Sequence, residues 1–140
     1  MMTLNHINLP VGDVAANRDF FTKYFGMTTV MEVGKNFLAT LIDESGLAFN
    51  LSHFDKDKSA AVVYHKDLHI GFFVDTDEEV DRLHARFAGD GFALDAPERK
   101  EYRYGFYVKA PGGFDVEVAR VETDALTPGG RDADGSSRKG

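Results

Sequence analysis

The tightest constraint on this chain is that its pattern is written twice. His6, in Leu4-Asn5-His6-Ile7-Asn8-Leu9, and His69, in Leu68-His69-Ile70-Gly71-Phe72, open two apolar stretches 63 positions apart. Ser45-Gly46-Leu47-Ala48-Phe49-Asn50-Leu51 and Gly112-Gly113-Phe114-Asp115-Val116-Glu117-Val118 repeat a turn followed by strict alternation, 67 positions apart. A period of ~65 residues is too long for a solenoid repeat. It fits a duplicated half-domain whose two sheets together close a core.

Each copy has the same element order. Residues 4–11 read as a strand, and Asp13 caps a helix reaching about residue 25. Val14, Phe20, Phe21, Tyr24 and Phe25 form its apolar stripe, and Gly26 supplies the stop. Strands follow near 27–33, 36–42 and 47–53. After the polar linker Asp55-Lys56-Asp57-Lys58-Ser59 the order restarts, with a strand at 68–74 and a helix capped by Thr76 or Asp77 that carries Val80, Leu83 and Phe87. Strands near 92–96, 102–110 and 114–121 complete it. The expected fold class is α+β: two βαβββ modules form a curved mixed sheet around a cavity, with helices on the outer face. Module 1 spans about 3–54 and module 2 about 66–121, within one domain over 1–123. From Thr127 on, Ala133 is the one apolar residue, so 124–140 is expected to be a flexible tail.

Composition narrows the function classes. Zero cysteines remove disulfides, thiolate metal sites and cysteine nucleophiles. A net charge of −7 without a Lys/Arg cluster argues against tracking nucleic-acid phosphates. No apolar run approaches the ~18 residues of a membrane span. The opening residues lack a basic segment followed by an apolar one, so a cleaved leader is not expected and a cytoplasmic location is.

Alternation along the strands picks out the residues able to carry chemistry. Ile7, Leu9 and Val11 take the core side of the first strand, which leaves His6 and Asn8 on the other face. The same parity opposes Asn50 to Phe49 and Leu51, His69 and Phe73 to Ile70 and Phe72, and Glu117 to Val116 and Val118. Arg103, Gly105 and Tyr107 share a face opposite Phe106 and Val108. A lone strand histidine serves as readily in a hydrogen bond as on a metal. Were both modules to curl around one concavity, however, two imidazoles and a carboxylate would suit a divalent ion such as Fe, Mn, Zn or Ni. His53, His65 and His84 read as structural or solvated.

The stretches Leu4-Asn5-His6-Ile7-Asn8-Leu9-Pro10-Val11-Gly12-Asp13-Val14 and Asp19-Phe20-Phe21-Thr22-Lys23-Tyr24-Phe25-Gly26-Met27 resemble the opening module of the vicinal oxygen chelate superfamily. That group holds glyoxalase I, extradiol dioxygenases, fosfomycin-resistance enzymes and bleomycin-resistance proteins. Asp67-Leu68-His69-Ile70-Gly71-Phe72-Phe73-Val74-Asp75 and Ala110-Pro111-Gly112-Gly113-Phe114-Asp115-Val116-Glu117-Val118 are similar to the start and end of its second module. The resemblance implies His6, His69 and Glu117 as ligands of a divalent metal, with Tyr107 and Glu117 catalytic. Asn8, Asn50, Phe73 and Arg103 are then candidate cavity residues. Asn50 stands where glyoxalase I enzymes carry a further ligand that also moves a proton, and asparagine is no base. The implied function is that of a metal-dependent lyase, isomerase or dioxygenase acting on a small substrate held through vicinal oxygens, in a homodimer. The alternative is a bleomycin-resistance-type protein that binds a small molecule without turnover.

Overall fold

The computed structural model describes residues 1–122, and the expected tail at 124–140 lies outside them. The chain divides into two compact units: Met1–Leu68 with Lys109–Phe114, and His69–Val108 with the chain from Asp115 onward.

In the first unit, β1 (His6–Pro10) is followed by α1 (Val14–Phe25), β2 (Thr28–Val33), β3 (Leu38–Ile42) and β4 (Ala48–Ser52). The sheet runs β1-β4-β3-β2. β1 pairs parallel with β4, and β3 antiparallel with β4 and with β2, where a bulge falls between Thr29 and Met31. Asp13 starts α1 as its carboxylate accepts from the Ala16 amide at 2.9 Å. Gly26 ends it at φ 65°, a left-handed conformation that costs glycine little. Spacing of three and four residues puts Val14, Asn17 and Phe21 on the buried side, with Phe20 beside them. Phe21 has no exposed surface and meets Phe49 edge-on at 5.1 Å, with Phe114 stacked at 6.2 Å. Burying one such ring contributes about 1.5–3 kcal/mol.

The second unit repeats the order as β5 (His69–Phe73), α2 (Asp77–Gly89), β6 (Glu98–Lys100), β7 (Arg103–Lys109) and β8 (Asp115–Val121). Its sheet runs β5-β8-β7-β6, with β5 and β8 parallel and β6 and β7 antiparallel. Thr76 caps α2 by accepting from the Glu79 amide at 3.1 Å, and Asp77, Glu78 and Glu79 complement the positive end of the helix. Val80 and Phe87 are fully buried from α2, against a sheet face that carries Phe106, Val108, Val116 and Val118.

The two βαβββ modules read from the repeat are thus present, as two four-stranded sheets. Three details differ from the sequence reading. The strand expected near 92–96 is absent and β6 lies at Glu98–Lys100 instead. Phe92 is drawn back onto α2: its amide donates to the Phe87 carbonyl and its ring meets Phe87 at 5.1 Å, which closes the helix end. Ile7 has the expected parity but is 39% exposed, because β1 is an edge strand and Leu9 alone of its residues is buried. Asn17, unremarked in the sequence, is wholly buried; its amide nitrogen donates to the carbonyls of Asp13 and Pro111.

Candidate functional site

The second unit gathers five of the expected residues on one sheet face. Parallel pairing sets His69 opposite Asp115 and Gly71 opposite Glu117, so His69, Gly71 and Phe73 share a face with Asp115, Glu117 and Ala119. β7, next to β8, contributes Arg103 and Tyr107 to this face. The His69 and Tyr107 rings meet edge-to-face at 5.9 Å. Arg103 forms an ion pair with Glu117, and its guanidinium carbon lies 5.7 Å from the Tyr107 ring centroid. Glu117 and Arg103 are largely covered, with side-chain exposures of 15% and 19%. Such burial demands a partner for each charge, and each provides the other's.

Two glycines shape this face. A Cβ built on Gly105 would come within 2.1 Å of the Val118 carbonyl oxygen and 2.9 Å of the Ala119 Cα, so only glycine lets β7 approach β8 there. On Gly71 a Cβ would meet Glu117 Oε1 at 3.7 Å, an ordinary contact, and its lack leaves open space beside the carboxylate.

Tyr107 is 46% exposed as a residue, and its phenol is partly desolvated. That burial, reinforced by the charge of Glu117 and a hydrogen bond to it, raises the phenol above its ordinary pKa. The phenol therefore keeps its proton and can donate it in a hydrogen bond.

The first unit presents a neutral counterpart. His6 and Asn8 on β1 stand opposite Ala48 and Asn50 on β4, with Thr40 of β3 paired to Asn50. His6 Nδ1 lies 2.7 Å from Asn5 Oδ1. An amide oxygen only accepts, so this contact pairs with an N–H at Nδ1 and directs Nε2 away from Asn5. Thr40 donates to Asn50 Oδ1 at 2.6 Å, which occupies the oxygen that would otherwise be the amide's donor atom toward an ion.

Among the described residues, no three histidine or carboxylate side chains are gathered within reach of one metal ion. His69 and Glu117 share one sheet face in the second unit, and His6 lies on the polar face of the first. The other histidines have structural surroundings: His53 is 4% exposed with Nδ1 3.0 Å from the Gly12 carbonyl, and His84 Nε2 is 2.9 Å from that of Asp95. His65 stands beside Asp67 in an exposed pair. Sequence reasoning placed Arg103 on the right face but missed its bond to Glu117. Shared parity alone does not reveal it, because the pairing depends on β7 and β8 being neighbours in the sheet.

Comparisons with known proteins agree with this architecture. The sequence profile of the Glyoxalase/Bleomycin resistance protein/Dioxygenase superfamily matches residues 3–118. A solved structure described as a possible glyoxalase from Bacillus cereus is 40% identical, covering 84% of this chain and 98% of that one, with a TM-score of 0.74. A lactoylglutathione lyase from Agrobacterium tumefaciens shares the fold at 21% identity, with 86% and 94% covered and a TM-score of 0.67. A glyoxalase/dioxygenase from Nostoc punctiforme does so at 20%, with 86% and 91% covered and a TM-score of 0.68. No curated protein matches the chain significantly.

Proposed function

Because the chain belongs to the glyoxalase/bleomycin resistance/dioxygenase superfamily, we propose that it is a divalent-metal-dependent enzyme acting on a small substrate chelated through two neighbouring oxygens. One observation carries the reading: an imidazole, a carboxylate, a phenol and a guanidinium share a single sheet face in the second unit.

An imidazole and a carboxylate on one sheet face are donor types that suit a borderline ion such as Fe, Mn, Zn or Ni. His69 and Glu117, on one face of the second unit, would hold it, with His6 proposed as the third ligand. The ion would act as a Lewis acid that polarises the substrate oxygens. Tyr107, protonated through burial and its place beside Glu117, would donate a hydrogen bond to an oxygen on which negative charge builds. Asn50, bonded to Thr40, would shape the cavity wall beside Asn8 and supply no base. A homodimer and a cytoplasmic location belong to the same proposal.

Binding without turnover is the second reading. It is favoured by the 62% exposure of Phe73 and the 46% exposure of Tyr107, two aromatic surfaces on the same face, ready to meet a planar guest.

Metal loading separates the two. Protein stripped with a chelator and reloaded with Fe(II), Mn, Zn or Ni should retain roughly one equivalent per chain, and His69→Ala should lose it while keeping its fold. Uptake below about a tenth of an equivalent for every metal would leave the binding-protein reading standing.

A further inference from the structure

We infer that Asn17 of α1 is a positioning residue: by holding the turn between β7 and β8, it locks the register that sets Tyr107 directly across from Glu117. This rests on the site reading above and adds to it the element that keeps the phenol and the carboxylate together.

Two backbone bonds fix the register of the β7–β8 hairpin. The Ala110 amide donates to the Phe114 carbonyl at 2.9 Å next to the turn, and the Glu122 amide donates to the Tyr102 carbonyl at 3.0 Å at the far end. Counting three residues inward from the first pair, or five from the second, reaches the same partners, Tyr107 and Glu117. The same count puts Gly105 opposite Ala119, the residue that a Cβ on Gly105 would strike. Hydrogen-bonded pairs alternate with open ones along an antiparallel ladder, so Tyr107 and Glu117 form an open pair, in which Cα atoms stand about 4.5 Å apart and side chains are at their closest. A slip by one residue would turn the side chains of one strand to the opposite face.

The turn's own residues secure this register poorly. Its centre is Pro111-Gly112-Gly113, with the glycines at φ 95° and 100°, and a glycine-rich stretch specifies register weakly. What holds the turn comes from the first unit, to which Lys109–Phe114 belongs. Asn17 Nδ2 donates to the Pro111 carbonyl at 3.0 Å, across 94 positions of chain, and to the Asp13 carbonyl at 2.9 Å. Phe114 is stacked on Phe21 and meets Tyr64 edge-on at 5.2 Å, while the Tyr64 hydroxyl donates to the Pro10 carbonyl at 2.7 Å.

Stability alone does not explain an asparagine here. Asn17 lies wholly buried on the same side of α1 as Val14 and Phe21, and its Oδ1 is shut off from solvent with no partner among the described residues. An apolar side chain of similar volume would remove that unmet acceptor, and such replacements of buried polar groups are often neutral or stabilising. What asparagine does that leucine cannot is grip the Pro111 carbonyl, which sets where β8 begins relative to where β7 ends. A buried polar side chain that fixes register at some expense of stability is known from coiled coils, where one asparagine serves this purpose.

The test uses the full chain freed of metal with EDTA, so that this inference and the metal reading can fail separately. In an open antiparallel pair the two Hα atoms face each other, so the Tyr107–Glu117 Hα–Hα nuclear Overhauser cross-peak reads the register directly. Thr40 and Asn50, an open pair between β3 and β4, supply a reference cross-peak in the first unit. Wild type should show both. Asn17→Leu should melt as high as wild type, keep the Thr40–Asn50 cross-peak and lose roughly half or more of the Tyr107–Glu117 intensity, with a second set of Tyr107 resonances from the slipped register. Asn17→Ala should lose the same cross-peak, and it decides should the leucine variant fail to fold. Absence of the Tyr107–Glu117 cross-peak from wild type, its full retention in a folded variant, an equal loss of both cross-peaks, or failure of both variants to fold overturns the proposal.

Discussion

The first unit sets His6, Asn8 and Asn50 on its polar sheet face, while the second sets His69, Arg103, Tyr107 and Glu117 on the corresponding one. One topology therefore carries neutral groups in one copy, with Asn50 bonded to Thr40, and charged groups in the other, with Arg103 paired to Glu117. The aromatic weight is divided the opposite way. Phe21 of α1 touches Phe20, Phe25, Phe49 and Phe114, whereas Phe87 of α2 meets Phe92 and Phe106. The helix starts differ as well. The Val14 amide of α1 donates to Asn36 Oδ1 at 2.8 Å, and Asn36 Nδ2 donates to the Gly12 carbonyl, whereas α2 relies on Thr76 and three acids in its first turn. A repeated fold thus permits one half to specialise in packing and the other in chemistry, because the backbone hydrogen bonds that define the fold constrain neither set of side chains.

This contrast can be broken by substitution, beginning with the cores. Phe21→Ala should cost about 3–5 kcal/mol in urea unfolding, with Phe87→Ala at the low end of that range. Equal losses would remove the asymmetry in packing. Next come the two glycines of the chemical face. Gly105→Ala forces backbone against backbone and should destabilise by about 3 kcal/mol. Gly71→Ala should stay within roughly 0.5 kcal/mol of wild type and narrow only the space beside Glu117.

The helix starts should respond more mildly. Asn36→Ala loses two hydrogen bonds and retains a left-handed backbone (φ 52°) that alanine tolerates poorly, so a loss of about 2 kcal/mol is expected. Thr76→Ala should lose about 1 kcal/mol. The smallest effect concerns pH. Bonds from Arg120 and Arg99 hold the Asp77 carboxyl below its ordinary pKa. Its contribution is therefore present above the unfolded-state value and lost as pH falls through the folded one. Acid titration below about pH 4, followed by circular dichroism, should weaken the second unit slightly more in wild type than in Asp77→Asn.

The fold was legible because both periodicities are clean. Alternation in Phe114-Asp115-Val116-Glu117-Val118 assigns each side chain to a face, and the spacing of Val14, Phe20 and Phe21 gives α1 its buried side. β6 was misplaced because Phe92 looks like a strand residue locally, while its partner is Phe87 on the preceding helix. Local pattern carries no information about that contact. Parity placed Arg103 beside Tyr107, yet the partner of a charged side chain depends on strand order and register. These are settled by packing, so the link from Arg103 to Glu117 emerged only with the sheet.

The central claim is that His69 and Glu117, which share one sheet face of the second unit, hold a divalent ion. Pulsed electron paramagnetic resonance of the Cu(II)-loaded chain counts coordinated imidazoles directly. At least one is predicted in wild type, and the count should fall by one in His69→Ala. A wild-type count of zero, or a count unchanged in His69→Ala, contradicts the account.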